Sequence, residues 1–336
     1  MRERQLGRFG PTVSAIGLGC WPMSGAYGDT SDADGIATIH QALELGVTLL
    51  DTADVYGNGH NEQLVGRAIR DRRQEVVLAT KFGNLRAADG SLVGIYGRPE
   101  YVRAACEASL RRLGVDVIDL YQQHRVDPDT PIEETVGALG ELVQEGKIRF
   151  IGLSEARPSD LRRAAAVHPI VSLQSEYSLL ERGVEGEVLA TCEELGIGFL
   201  PFAPLSRGLL AGSLTPRRAL DAGDTRSSVG RFPRVGPEHL AANAALASTV
   251  LEIAEEHHAS SAQVALAWLL SRGPWIVPIP GTKRTAYLED NARAPELELT
   301  REDEARLEGL AARVQGARYG PEMRTPDWVS PPLQQH

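Results

Sequence analysis

Short apolar runs alternate with longer amphipathic stretches along most of the chain. The apolar runs are residues 15–19, 47–50, 76–80, 117–121, 148–154, 170–174, 197–202 and 276–279, eight in all. Each is short and rich in Val, Ile and Leu, which suits a buried strand rather than a helix. Between most of them lie stretches with apolar residues at helical spacing, such as 31–45, 99–113, 131–144 and 241–257. Several carry helix-start signals: Ser31-Asp32, Asn61-Glu62, and Pro131 with Glu133-Glu134 in the first turn. Strands alternating with helices predict a parallel sheet. Eight such units predict closure into a (β/α)8 barrel, an α/β fold.

Two segments break the rhythm. Residues 4–13, with Gly7 and Gly10-Pro11, predict a short N-terminal β-hairpin ahead of the first barrel strand. Residues 203–238 are rich in Gly, Pro, Ser and Arg and predict a long loop after the seventh strand. Loops of that length in a compact domain are usually functional. No linker divides the chain, so residues 1–336 read as one barrel domain with an irregular tail from about 315 to 336.

The polar residues that end the apolar runs carry the chemistry. Asp51, Lys81 and His124 follow three successive strand candidates, and Tyr56 lies in the loop just past Asp51. Parallel barrels assemble catalytic sites from the carboxyl ends of several strands. Lys81, Lys147 and Lys283 are the chain's only lysines against a large excess of arginine, which hints that position 81 needs a compact ammonium rather than a planar fork. A tyrosine hydroxyl has a reference pKa of about 10, and a nearby ammonium lowers it. Lys81 could act so on Tyr56, Asp51 could hold Lys81 charged, and His124 could bond a substrate oxygen. Together they would protonate a carbonyl oxygen. Each residue alone has an ordinary structural explanation; their joint placement on consecutive strand ends does not.

Two further stretches suit an anionic ligand. Gly281-Thr282-Lys283-Arg284 follows the last strand, where barrels commonly hold phosphate. Phe202 ends the seventh strand and offers a flat aromatic face; Leu205, Ser206, Arg207, Gly208 and Leu209 continue it into a loop suited to a pyrophosphate. Ser154 and Gln174, at the ends of the fifth and sixth strands, could bond a carboxamide.

Other signals narrow the choice. There is no GxGxxG after the first strand and no GxxxxGK[ST], so a nicotinamide cofactor would not sit in a Rossmann cradle. No HExxH or CxxC occurs and the three cysteines are widely spaced, so neither a metal nor a disulfide framework is expected. A net charge of −10 argues against nucleic acid and anionic membranes as partners. No signal core or apolar run of membrane length is seen, which points to the cytoplasm. His257-His258 read as solvated, and the helix at 260–270 as core.

These motifs resemble the aldo-keto reductases over nearly the full length. The matching stretches are Gly17-Leu18-Gly19, the run from Leu50 through Asp51 and Tyr56 to Gly57, Ala79-Thr80-Lys81, Asp119 to His124, Gly146-Lys147-Ile148-Arg149 with Gly152-Leu153-Ser154, and Ile279-Pro280-Gly281-Thr282. The branch resembled contains potassium-channel β-subunits and pyridoxal-type reductases. The resemblance implies a catalytic set of Tyr56 as proton donor, Asp51 and Lys81 tuning it, and His124 orienting the carbonyl. It implies NADPH (NADP+) as cofactor, lined by Gly19, Cys20, Trp21 and Asp51. Ser154 and Gln174 would hold the amide, Phe202 would stack on the ring, and the 205–209 loop would cover the pyrophosphate. Gly281, Thr282, Lys283, Arg284, Tyr287, Asp290 and Asn291 would take the adenosine end. Trp21, Tyr56 and His124 would meet a small-molecule carbonyl substrate. Glu155 stands where many members have Asn, and Tyr287 where many have Arg. A tyrosine can stack on adenine but cannot grip a 2′-phosphate ionically, which leaves that load on Lys283 and Arg284.

The expected function is NADPH-dependent reduction of aldehydes or ketones to alcohols. The alternative within this resemblance is an NADP-binding regulatory or redox-sensing subunit with slow turnover. A barrel aldolase or isomerase using Lys81 as Schiff-base former is a further class, disfavoured because Asp51 would keep the amine protonated.

Overall fold

A computed structural model describes residues 1–87, 92–217, 220, 223–228 and 230–320. The strands are β1 (Glu3–Gln5), β2 (Thr12–Ser14), β3 (Leu18–Gly19), β4 (Leu49–Asp51), β5 (Val77–Phe82), β6 (Asn84–Arg86), β7 (Leu92–Ile95), β8 (Ile118–Gln123), β9 (Ile148–Ser154), β10 (Ile170–Glu176) and β11 (Gly198–Phe202). The helices are α1 (Asp32–Glu44), α2 (His60–Ile69), α3 (Pro99–Leu113), α4 (Ile132–Gln144), α5 (Pro158–Val167), α6 (Glu187–Leu195), α7 (Leu240–Glu256), α8 (Ser261–Ser271), α9 (Thr285–Ala292) and α10 (Arg301–Glu308).

Seven strands form one parallel sheet in the order β3-β4-β5-β8-β9-β10-β11. The eighth apolar run, 276–279, closes it. On one side Val277 N–H donates to Phe199 O (2.8 Å) and Ile279 N–H to Pro201 O (3.1 Å); on the other Gly17 N–H donates to Pro278 O (2.9 Å) and Gly19 N–H to Pro280 O (3.2 Å). Pro278 and Pro280 have no N–H to give, so this run bridges its neighbours without building a regular ladder. The result is the expected (β/α)8 barrel.

The N-terminal hairpin is β1 paired antiparallel with β2. It plugs the strand-start end: Leu6 and Val13 are buried in one cluster with the barrel-interior residues Leu49, Ala79, Leu120, Val171, Leu200, Val277 and Ile279. Burying each such side chain contributes about 1.5–3 kcal/mol. The plug fits closely, since a Cβ on Gly198 would lie 2.6 Å from Leu6 Cδ1. Between the strands and the outer helices lies the larger core, which includes the fully buried Trp268 of α8, as read from the sequence.

Helix starts follow the sequence signals. Ser31 caps α1, its side chain accepting from Asp34 N–H, and Asp32 and Asp34 sit in the first turn against the helix dipole. The small sheet of β6 and β7, between β5 and α3, was not predicted. One reading needs correction: His257 is not simply solvated, because its Nε2 lies 2.8 Å from Asp303 Oδ2 at the start of α10. Among the described residues no helix is long and apolar enough to cross a membrane, and no group of His, Cys, Asp or Glu could hold a metal ion. The tail beyond residue 320 lies outside the described residues.

Candidate active site

The strand ends bring the four expected residues together. Lys81, fully buried at the end of β5, spends its three ammonium protons on Asp51 Oδ2 (2.5 Å), Thr52 O (2.8 Å) and Tyr56 OH (3.3 Å). Burial opposes its charge, but Asp51 and Tyr56 outweigh that and hold its pKa above the ordinary value. Asp51, at the end of β4, is anchored on its other oxygen by Gln174 Nε2 (2.8 Å) and Gln122 Nε2 (3.3 Å) from β10 and β8. The His124 ring stands edge-on to Tyr56 at 5.9 Å. The Tyr56 turn is braced from below: Thr52 Oγ1 bonds Asn61 Oδ1 (2.6 Å), and Asn61 Nδ2 bonds Cys20 O (2.9 Å).

One expectation is corrected here. The ammonium does pull the Tyr56 hydroxyl downward, but burial is the larger influence and the pKa stands above its usual value. Tyr56 therefore keeps its proton through neutral pH, as a donor must.

Tyr56 and His124 open onto a cavity of about 960 Å³ at the carboxyl ends of the strands. Gly19, Trp21, Asp51, Ser154, Gln174, Phe202, Leu205, Arg207 and Gly208 line it, and it runs on past Gly281, Thr282, Lys283 and Arg284 to Tyr287, Asp290 and Asn291. Trp21 stands 6.1 Å from the Tyr56 ring. Four expected site residues are not part of the lining. Lys81 lies beneath Tyr56 and bonds its hydroxyl. Cys20 is buried with its thiol directed to Leu18 O, Ser206 bonds Ser178 Oγ (2.8 Å), and Leu209 packs in the core.

Two cations expected at phosphates are engaged by the protein. Arg207 forms a fork with Glu176 (2.6 and 2.9 Å) and covers the Phe232 ring at 4.4 Å. Lys283 Nζ donates to the carbonyls of Tyr27 (3.0 Å), Gly28 (2.8 Å) and Asp29. It thereby ties the turn after the 276–279 run to the 26–29 segment, a strap at the cavity's edge. That strap is also held by Thr225 N–H to Ala26 O (2.9 Å) and by Arg226 over the Tyr27 ring at 4.5 Å.

The chain's departure at Glu155 has a structural explanation. Its carboxylate takes a fork from Arg318 (2.7 and 2.8 Å), whose Nε also bonds Glu176 (2.6 Å). Glu155, Arg318, Glu176 and Arg207 thus form one buried chain of charges joining β9, the C-terminal segment, β10 and the 205–209 loop. Burial works to raise the Glu176 carboxyl, but Arg207 and Arg318 hold it down to about 2. Glu155, Ala203, Ser206 and Arg207 all have positive φ (54°, 47°, 47° and 57°). Left-handed backbone in non-glycine residues costs about 1–3 kcal/mol each and tends to cluster at functional sites.

Known proteins share this sequence pattern and fold. The Aldo/keto reductase family pattern matches residues 15–312. A probable aldo-keto reductase from Glycine max is 45% identical over 301 residues, covering 89% of this chain and 86% of its own. The chain belongs to the aldo/keto reductase family. The reductase is also similar to a glycerol dehydrogenase from Gluconobacter oxydans, with TM-score 0.83 and 30% identity over 95% of this chain and 98% of that one. A holo-form aldo-keto reductase from Bacillus halodurans matches with TM-score 0.73 and 32% identity, over 96% and 100% of the two chains.

Several residues of the reductase's cavity were not legible beforehand. Tyr27, Arg125, Arg226 and Tyr319 line it from loops, and nothing local marks a loop residue as pocket-facing. Arg318 and Tyr319 lie far along the chain in a stretch that reads as irregular tail.

The raised Tyr56 pKa has a kinetic consequence. A phenol that donates its proton works only while protonated, so carbonyl reduction should stay level through neutral pH. It should fall only as pH rises above about 10, the ordinary tyrosine value. Measuring kcat/KM for an aldehyde from pH 6 to 11 checks this, and a falling limb centred near pH 8 would contradict it.

Proposed function

We propose that this protein reduces aldehydes or ketones to alcohols using NADPH, with Tyr56 supplying the proton. The observation that carries the reading is the relay itself: a Tyr56 hydroxyl opening on the cavity, 3.3 Å from an ammonium that is 2.5 Å from a buried carboxylate. When bound, the reduced nicotinamide supplies a hydride to the carbonyl carbon. Tyr56 protonates the oxygen as the C=O π bond breaks, and Lys81 stabilises the phenolate left behind. His124 orients the carbonyl.

The residues along the cavity suit such a cofactor in kind and order. Its volume lies at the upper end of the ~300–1,000 Å³ usual for small-molecule sites. Phe202 offers a ring face, and Ser154 and Gln174 offer polar groups for an amide. The backbone of Leu205 and Gly208 borders the middle, with Arg284, Tyr287 and Asn291 at the far end. An aldo-keto reductase from Klebsiella pneumoniae, 30% identical with TM-score 0.71, is known in complex with NADP and acetate.

NADPH oxidation against a panel of aldehydes and ketones tests the activity. Turnover near the typical ~10 per second supports an enzyme, and binding without turnover would favour a regulatory subunit. Cofactor choice is tested by two variants. Arg284 stacks on Tyr287 at 5.5 Å and forms no ion pair among the described residues, so it is the cation at that end of the cavity suited to a 2′-phosphate. Arg284→Ala should weaken NADPH roughly tenfold or more and NADH little, since a charge-assisted bond is worth about 1.5–3 kcal/mol. Lys283→Ala loosens the strap and should weaken both. Fluorescence titration with each cofactor measures this; equal losses in Arg284→Ala would remove the 2′-phosphate assignment.

A further inference from the structure

We propose that Arg125 receives a carboxylate of the substrate, so that the preferred substrates are aldehydes or ketones that also carry an acidic group. This deepens the reductase reading and rests on it.

Arg125 follows the catalytic His124, is partly exposed, and lines the cavity. Its Nη1 donates to His124 O at 2.8 Å and to Ser154 Oγ at 3.4 Å. Those bonds orient the guanidinium. Its Nε and Nη2 make no hydrogen bond, and the group forms no ion pair, among the described residues. The cavity's other cations are engaged or lie elsewhere. Arg207 pairs with Glu176, Arg226 with Asp224, Arg231 lies over the Phe232 ring at 5.4 Å, and Lys283 holds the strap carbonyls, while Arg284 lies at the far end. The acidic groups of the lining are committed too. Asp51 is paired with Lys81, and Asp290 accepts from Ser260 (2.6 Å) and Gln263 (2.7 Å) away from the catalytic end.

Arg125 is thus an uncompensated charge within electrostatic reach of Tyr56, in a pocket walled by Trp21, Tyr27 and Tyr319. A guanidinium there is partly stripped of water without a counter-ion to repay it. A carboxylate repays it with two parallel charge-assisted bonds to the open fork. Anchored there, a substrate would place its carbonyl at the neighbouring Tyr56 and His124 through the shared strand end.

The test compares matched substrates in the purified full-length enzyme with NADPH: 4-carboxybenzaldehyde against benzaldehyde, and succinate semialdehyde against butanal. The carboxylate member should be preferred at least tenfold in kcat/KM in one pair or both, mainly through KM. Arg125→Gln should collapse that ratio toward one, and Arg125→Lys should restore part of it. The neutral substrate measured in the same variant reports whether the fold survives. Equal use of charged and neutral partners would overturn the proposal, as would a preference that persists in Arg125→Gln. A variant that loses NADPH affinity while keeping the substrate ratio would assign Arg125 to the cofactor and overturn it equally. If neither member of any pair is reduced, the reductase reading itself fails, and this one with it.

Discussion

Tyr56→Phe should lose about 10²–10⁴-fold in kcat/KM for carbonyl reduction, the usual worth of a positioned general acid, while still binding NADPH. The substitution removes the hydroxyl and keeps the ring that contacts Trp21 and His124. Lys81 loses one of three partners but keeps Asp51 and Thr52 O. Steady-state kinetics and a cofactor titration separate the outcomes. Near-normal turnover would show that another group supplies the proton. Among the described residues no other hydroxyl both bonds the Lys81 ammonium and lines the cavity, so such a result would require a different catalytic scheme.

Arg318→Ala should destabilise the protein by about 3–5 kcal/mol, the usual loss when one partner of a buried ion pair is removed. Arg318 is only 8% exposed and is the shared partner of Glu155 and Glu176. Its loss leaves Glu155 without its guanidinium fork and Glu176 with Arg207 alone. Denaturant unfolding measures the effect. Glu155→Gln in the same background should recover part of it by removing a buried carboxylate that has lost its guanidinium fork. The pH dependence has a defined sign. The Glu176 carboxyl is held down to about 2, so its contribution is present above the ordinary carboxylate range near 4 and is lost as pH falls toward 2. The unsubstituted protein should therefore lose more stability than Arg318→Ala between pH 5 and 2. Because the same charges tie the C-terminal segment to the 205–209 loop, cofactor release should also quicken in the variant.

What the sequence by itself determined is everything carried by local pattern. Period and length specified the strands, the helices and hence the barrel, because a residue's neighbours along the chain decide which face of an element it can bury. Asp51, Lys81 and His124 were legible as a candidate site because strand ends in a parallel barrel share one face. Tyr56 was legible because it lies five residues past Asp51. Glu155 stood out as a departure, but its reason lies 163 residues away in Arg318, and no local signal encodes such a partner. The same holds for Lys283, which reaches back to carbonyls 254–256 residues earlier. The sign of the Tyr56 shift was also beyond the sequence. Proximity of a lysine lowers a phenol's pKa, burial raises it, and only the packed structure says how much water is gone. Charge pairing, loop closure and desolvation are long-range sums over the fold, so the tertiary structure alone decided which cations hold the protein together and which face the cavity.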